Sequence, residues 1–124
     1  MTEWTALPDL FPEGLEKVQQ STGWSFAAHN RYWSGLTPYA SENGGKFRFK
    51  VEIDAQNRSI ALPQDSQFWF ELFKEAKKWG LDMYEQDWLD VQYLMMQSPR
   101  QDFHTAEDWL LQVQSVAIEV TQTT

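Results

Sequence analysis

Apolar residues fall at two different spacings along this chain, and the change from one to the other marks out its elements. In "KFRFKVEID", residues 46–54, Phe47, Phe49, Val51 and Ile53 alternate with Lys, Arg and Glu. Successive side chains of a strand point to opposite faces, so this predicts a strand with one face in solvent. "AQNR" then supplies a turn and "SIAL", 59–62, a short returning strand, giving a β-hairpin over about 46–62. From Ser66 the period lengthens: Trp69, Leu72, Phe73 and Ala76 recur at helical spacing until Gly80 follows Trp79.

The same reading covers the rest of the chain. Pro12, Leu15 and Val18 predict a short helix over about 12–21, closed by Gly23 in the position a left-handed cap prefers. "WSFAAHN", 24–30, is a short apolar run read as a buried strand, with a helix as the alternative. "RYWSGLTPYASENGG", 31–45, carries enough Gly, Pro, Ser and Asn to be a loop. In "LDMYEQDW", 81–88, Met83, Glu85 and Asp87 alternate with Tyr84, Gln86 and Trp88, which predicts a second core strand. A short helix is expected over 89–96, broken by Ser98-Pro99. Thr105 and Asp108 have the spacing of a capping box, and Ala106, Trp109, Leu110, Val113, Val116, Ala117 and Val120 predict a final amphipathic helix to about 120.

Strands alternating with helices indicate an α/β fold built on a parallel sheet. Two core strands are too few for such a sheet, which needs more strands and both faces covered. The chain is therefore expected to be a single partial α/β domain, 1–124, with an inserted hairpin, and a piece of a larger fold.

Composition narrows the function classes. Of 124 residues, 7 are Trp, 8 Phe and 4 Tyr, too aromatic for a disordered chain and enough for a core. A net charge of −8 argues against nucleic acid, whose phosphates need clustered Lys and Arg. The absence of cysteine excludes disulfides and thiolate metal sites. No apolar run has the length of a transmembrane helix, and "MTEW" lacks the basic start of a signal peptide, so the compartment is left open. No Gly-rich phosphate loop, GxSxG or HExxH occurs, "DAQNRS" lacks the pattern of a calcium loop, and His29 and His104 are far apart; no cofactor or metal is expected.

Functional groups of parallel α/β folds gather at the carboxyl ends of the strands. That rule selects "AHNRYW" and "YEQDW". A carboxylate walled by aromatic rings suits a nucleophile or acid/base, since burial and neighbours tune its pKa. Flat rings also stack on the C–H faces of sugars while Asp, Asn, His and Gln meet the hydroxyls. The plainer alternatives are that the rings are core, that His29 is a hydrogen-bonded structural residue, and that 82–90 is a solvated helix face.

"TGWSFAAHNRYWS", "FRFKVEID", "ALPQDSQFWFELFKEAKKWGLDMYEQDWL" and "DWLLQV" together resemble an uncharacterised family of glycosidase-like TIM-barrel proteins, itself distantly similar to the α-galactosidase (melibiase-like) clan. The resemblance implies a partial (β/α) barrel and a glycoside-hydrolase-like protein that binds or hydrolyses a carbohydrate. It implies Asp87 as nucleophile or charge stabiliser with Glu85 beside it, and His29, Asn30, Trp33, Gln86 and Trp88 around the sugar. Clan members end this strand in Lys-x-Asp; here Glu85 stands in place of the Lys. The chain reads as an N-terminal fragment, inactive in isolation, whose bare apolar surface favours self-association.

Overall fold

The computed structural model describes residues 1–122. Helix α1 spans Gly14–Thr22 and ends on Gly23, whose φ of 71° is the left-handed cap expected of it. The chain then enters β1, Phe26–Asn30. Helix α2, Ser66–Lys78, starts on the Asp65 side chain, which accepts from the Gln67 N–H, and carries Lys77 and Lys78 in the last turn, where the helix dipole favours cations. Gly80, at φ 95°, then turns the chain into β5, Leu81–Gln86. Strands β1 and β5 pair in parallel, with His29 opposite Glu85 and Asn30 opposite Gln86.

The segment between β1 and α2 is more structured than its Gly- and Pro-rich composition indicates. Two residues of the expected loop, Trp33–Ser34, form β2, and Ser41–Asn43 form a single 3-10 turn. Strands β3, Phe49–Ile53, and β4, Ser59–Pro63, make the expected hairpin, closed where Asp54 Oδ1 accepts from the Gln56 and Arg58 N–H groups. Strand β2 pairs with the other edge of β4, giving an antiparallel sheet in the order β2-β4-β3. Central position explains why Ile60, Ala61 and Leu62 of β4 are all buried, without alternation.

The core sits between this small sheet and α2. Trp33, Phe49, Ile60, Leu62, Phe68 and Trp69 form its centre, and the Phe68 ring meets Trp33, Phe49 and Trp69 edge-on at centroid distances of 5.0–5.3 Å. Such pairs add about 0.5–1.5 kcal/mol beyond the area they bury. The hairpin thus belongs to the main core. Its apolar face is not uniform: Phe47 and Phe49 are buried, but Ile53 at the far end is 63% exposed.

Two boundaries differ from expectation. The segment after β5 contains α3, Leu89–Leu94, and a separate short helix α4, Gln97–Gln101. Pro99 lies within the first turn of α4, where its missing N–H leaves no helical bond unmade, so it continues the chain as helix. Helix α5 runs Phe103–Gln122 and begins before Thr105. Asp102 is the residue that caps it, accepting from the His104 N–H at 3.0 Å, while Thr105 is buried in the first turn. The molecule is a mixed α/β chain with a two-stranded parallel sheet and a small antiparallel sheet. No helix among the described residues is long and apolar enough to cross a membrane.

Candidate functional site

Strand geometry divides the expected site residues between two faces of the parallel sheet. Tyr84, Asn30 and Gln86 turn toward the protein, where the Tyr84 ring packs against Trp69 and Phe73 of α2. His29 and Glu85, one position along in each strand, turn to solvent on the other face. Asp87 lies just past β5, its N–H donating to the Asn30 carbonyl at 2.8 Å, and joins them there.

On the outer face, His29 Nε2 lies 3.0 Å from Asp87 Oδ2. A carboxylate only accepts, so Nε2 carries the proton and a neutral ring keeps Nδ1 as a free acceptor. Asp87 Oδ1 accepts from the Trp88 N–H at 2.7 Å. The His29 hydrogen bond, then the Trp88 N–H, outweigh the small desolvation of Asp87 and hold its carboxyl below the usual carboxylate range, helped by the charge of Arg31. Glu85 has no ion-pair or hydrogen-bond partner among the described residues. One ligand atom from each of His29, Glu85 and Asp87 lies within 4.8 Å of the other two, so these three side chains could share a cation.

Behind this face lies a buried amide-and-phenol network. Asn30, fully buried, donates through Nδ2 to the Tyr84 hydroxyl at 2.9 Å and to Gln86 Oε1 at 3.2 Å. The Tyr84 hydroxyl donates in turn to Gln86 Oε1 at 2.6 Å. Gln86 Nε2 then donates to the backbone carbonyls of Arg31, at 2.6 Å, and Asp87, at 3.1 Å. Burial pushes the Tyr84 phenol well above its ordinary pKa, with the Asn30 amide pulling the other way, so it remains a neutral hydroxyl. Asn30 and Gln86 fix the two strand ends from behind and do not face the solvent side.

Trp88, 38% exposed, adopts a left-handed φ of 55°, with its ring 5.9 Å from that of Tyr32 and 5.5 Å from the Arg31 guanidinium. Trp33 is placed elsewhere: it is fully enclosed in the core against Phe68 and Phe49, because it is the first residue of β2, whose pairing with β4 turns it inward. Beside β1 runs a cleft of about 310 Å³, whose walls include Trp4, Leu7, Leu15, Ala28, His29 and Trp79. Trp4 is anchored there by its indole N–H, which donates to the His29 carbonyl at 3.2 Å.

No family model, curated protein or solved structure matches this chain. Its function must be read from the residues just described.

Of the expected site residues, His29, Glu85 and Asp87 converge, Trp88 borders them, Asn30 and Gln86 support them from the opposite face, and Trp33 lies in the core. Sequence reasoning did not single out Tyr32 or Trp4. Tyr32 adjoins the "HNR" stretch and was within reach of the strand-end rule. Trp4 carries no local signal, since only the tertiary path of the N-terminal segment brings it to β1. The grouping of His29 with Glu85 and Asp87 was equally hidden, because it depends on the register of strands more than 50 residues apart in sequence.

Proposed function

We propose that this chain carries one side of a carbohydrate site, in a protein built on glycosidase-like lines. The observation that carries the reading is the convergence of His29, Glu85 and Asp87 at the carboxyl ends of two adjacent parallel strands, with Trp88 directly following Asp87 and donating its N–H to it. A sugar offers both surfaces such a site needs. Its C–H face stacks on an indole, and its hydroxyls donate to carboxylates and to the free Nδ1 of the imidazole. Asp87, held ionised, is the nucleophile or charge stabiliser of the reading; Glu85, without a partner among the described residues, accepts a hydroxyl.

Binding is favoured over turnover for the chain alone. A retaining glycosidase sets its two carboxyl groups about 5–5.5 Å apart across the scissile bond. One oxygen of Glu85 and one of Asp87 lie within 4.8 Å of each other, but Glu85 stands in β5 and Asp87 directly follows it, so both approach a ligand from one side. A partial (β/α) barrel completed by further strands would bring the opposing acid. A noncatalytic binding module uses the same groups with no such addition.

The test is titration of the chain with methyl glycosides and an aryl glycoside, followed by NMR of the Trp88 indole and His29 ring. Saturable shifts at those two groups, abolished by Trp88→Ala and weakened by Asp87→Asn, support the reading. Shifts spread without preference over the surface, or none at all, overturn it.

A further inference from the structure

The outward face of α5 is apolar where a lone surface helix is normally polar. Phe103, Leu110, Leu111 and Ile118 are 73%, 52%, 48% and 49% exposed. At about 100° per residue, these four positions, together with Glu107 and Gln114, fall within about 100° of arc, opposite the Trp109, Val113, Val116 and Val120 stripe that faces the core. Tyr93 and Leu94 of α3, also exposed, flank the same ridge beside Leu110.

The order of residues along this ridge reads the same in both directions. Measured from the midpoint between Leu110 and Leu111, Phe103 and Ile118 lie at equal distances on either side, and so do Glu107 and Gln114. Laid antiparallel on a second copy about a two-fold axis at that midpoint, the Leu110 and Leu111 side chains of the two copies gather at the axis, Phe103 lies level with Ile118, and Glu107 meets the neutral Gln114. An isologous contact demands this kind of self-complementarity, a patch whose own reverse fits it. The charges agree. Although the chain carries a net −8, the ridge holds one carboxylate per copy, Glu107, and the pairing sets no Glu against Glu. Glu107 is also within 3.5 Å of the His104 ring in its own helix.

We infer that α5 is a homodimerisation helix, and that the occupant of its outward face is α5 of a second copy, packed antiparallel in this register. The ridge from Phe103 to Ile118 extends about 22 Å along the axis, four turns of contact between the two helices. This surface is separate from the His29, Glu85 and Asp87 cluster, so the inference stands whether or not the carbohydrate reading holds.

Sedimentation equilibrium of the full chain over a range of concentrations tests it, with variants that read the register. Wild type is expected to show a monomer–dimer equilibrium, and Leu110→Glu combined with Leu111→Glu to be monomeric with an unchanged far-UV spectrum. Gln114→Lys places a cation opposite Glu107 of the other copy twice per dimer and is expected to tighten association about three-fold, while Gln114→Glu weakens it by a similar factor. The chain has no cysteine of its own, so Glu107→Cys with Gln114→Cys reports proximity cleanly. Within one helix these positions are about 10 Å apart, too far for a disulfide, so any bridge joins two copies. Covalent dimer from the double variant, and far less from either single one, supports the register. A monomer at every concentration, a fold lost in the double Glu variant with no response to either Gln114 change, or equal effects of Gln114→Lys and Gln114→Glu, overturn the proposal.

Discussion

Asn30 Nδ2 and Gln86 Oε1, opposite one another in the parallel ladder, are joined at 3.2 Å on the face that points away from His29 and Asp87. The Tyr84 hydroxyl closes this pair into a three-membered network. Tyr84→Phe keeps the ring packed on Trp69 and Phe73 but deprives Asn30 of an acceptor and Gln86 of a donor. A loss of about 1–3 kcal/mol is expected, the range for removing one partner of buried polar groups. Urea unfolding measures it. A variant as stable as wild type would show that the network contributes nothing net.

The titration of Asp87 has a definite direction. Its folded-state pKa lies below the ordinary value because His29 and the Trp88 N–H favour the carboxylate. The interaction is therefore complete at pH values above the ordinary aspartate range and is lost as the pH falls through the depressed value. In a carbon-detected NMR titration the Asp87 carboxyl is expected to have a low midpoint that moves up toward the ordinary value in His29→Ala. An unmoved midpoint would mean that the 3.0 Å contact does not operate in solution.

Two tryptophans that look alike in sequence should behave differently. Trp33→Ala opens a hole against Phe49 and Phe68 and is expected to cost about 3–5 kcal/mol. Trp88→Ala removes a rim residue and should cost about 1 kcal/mol or less. Trp88→Gly adds a second contrast. The left-handed φ of 55° is easier for glycine, so this variant should be the more stable of the two by about 1 kcal/mol, though both lack the ring. Chemical denaturation of the three proteins decides the order.

The hairpin turn should weaken in acid. Desolvation pushes the Asp54 carboxyl up, but the Arg58 N–H, the Arg58 guanidinium at 2.7 Å and the Gln56 N–H together bring it below its usual value. A depressed acid contributes stability above its unfolded pKa and loses it as pH falls through the folded one. The difference in unfolding midpoint between wild type and Asp54→Asn is thus expected to be constant above about pH 5 and to shrink below it. A difference that grows toward acid would reverse the assigned sign.

Local chemistry made most of the elements legible, and distant pairing hid the rest. Gly23 and Gly80 stop α1 and α2 where glycine takes a positive φ, and alternation in "KFRFK" and "MYEQ" announces strands. Strand β2 has only two residues, which no period can reveal; it exists because β4 offers Trp33 and Ser34 a pairing edge. Pro99 looks like a break in the sequence, since its place in a first turn depends on where α4 begins. Thr105 has the spacing of a cap in the sequence, but its burial, decided by α5 packing, leaves the cap to Asp102. In the site, Glu85 and Gln86 are both expected at the sugar, although alternation along β5 sets them on opposite faces. Alternation could not show that Trp33 turns inward, since the strand that orients it was not visible, nor that His29 would stand beside Glu85.

Glu52, on the hairpin, accepts the N–H groups of Gln97 at 2.8 Å and Ser98 at 3.1 Å and so seals the start of α4. Gln92 of α3 reaches the carbonyl of Ala61 in β4. The α3–α4 segment is consequently not an independently melting stretch. Its first amide protons become available to solvent only when the hairpin also lets go, which makes the two regions, some 40 residues apart in sequence, a single cooperative unit of opening.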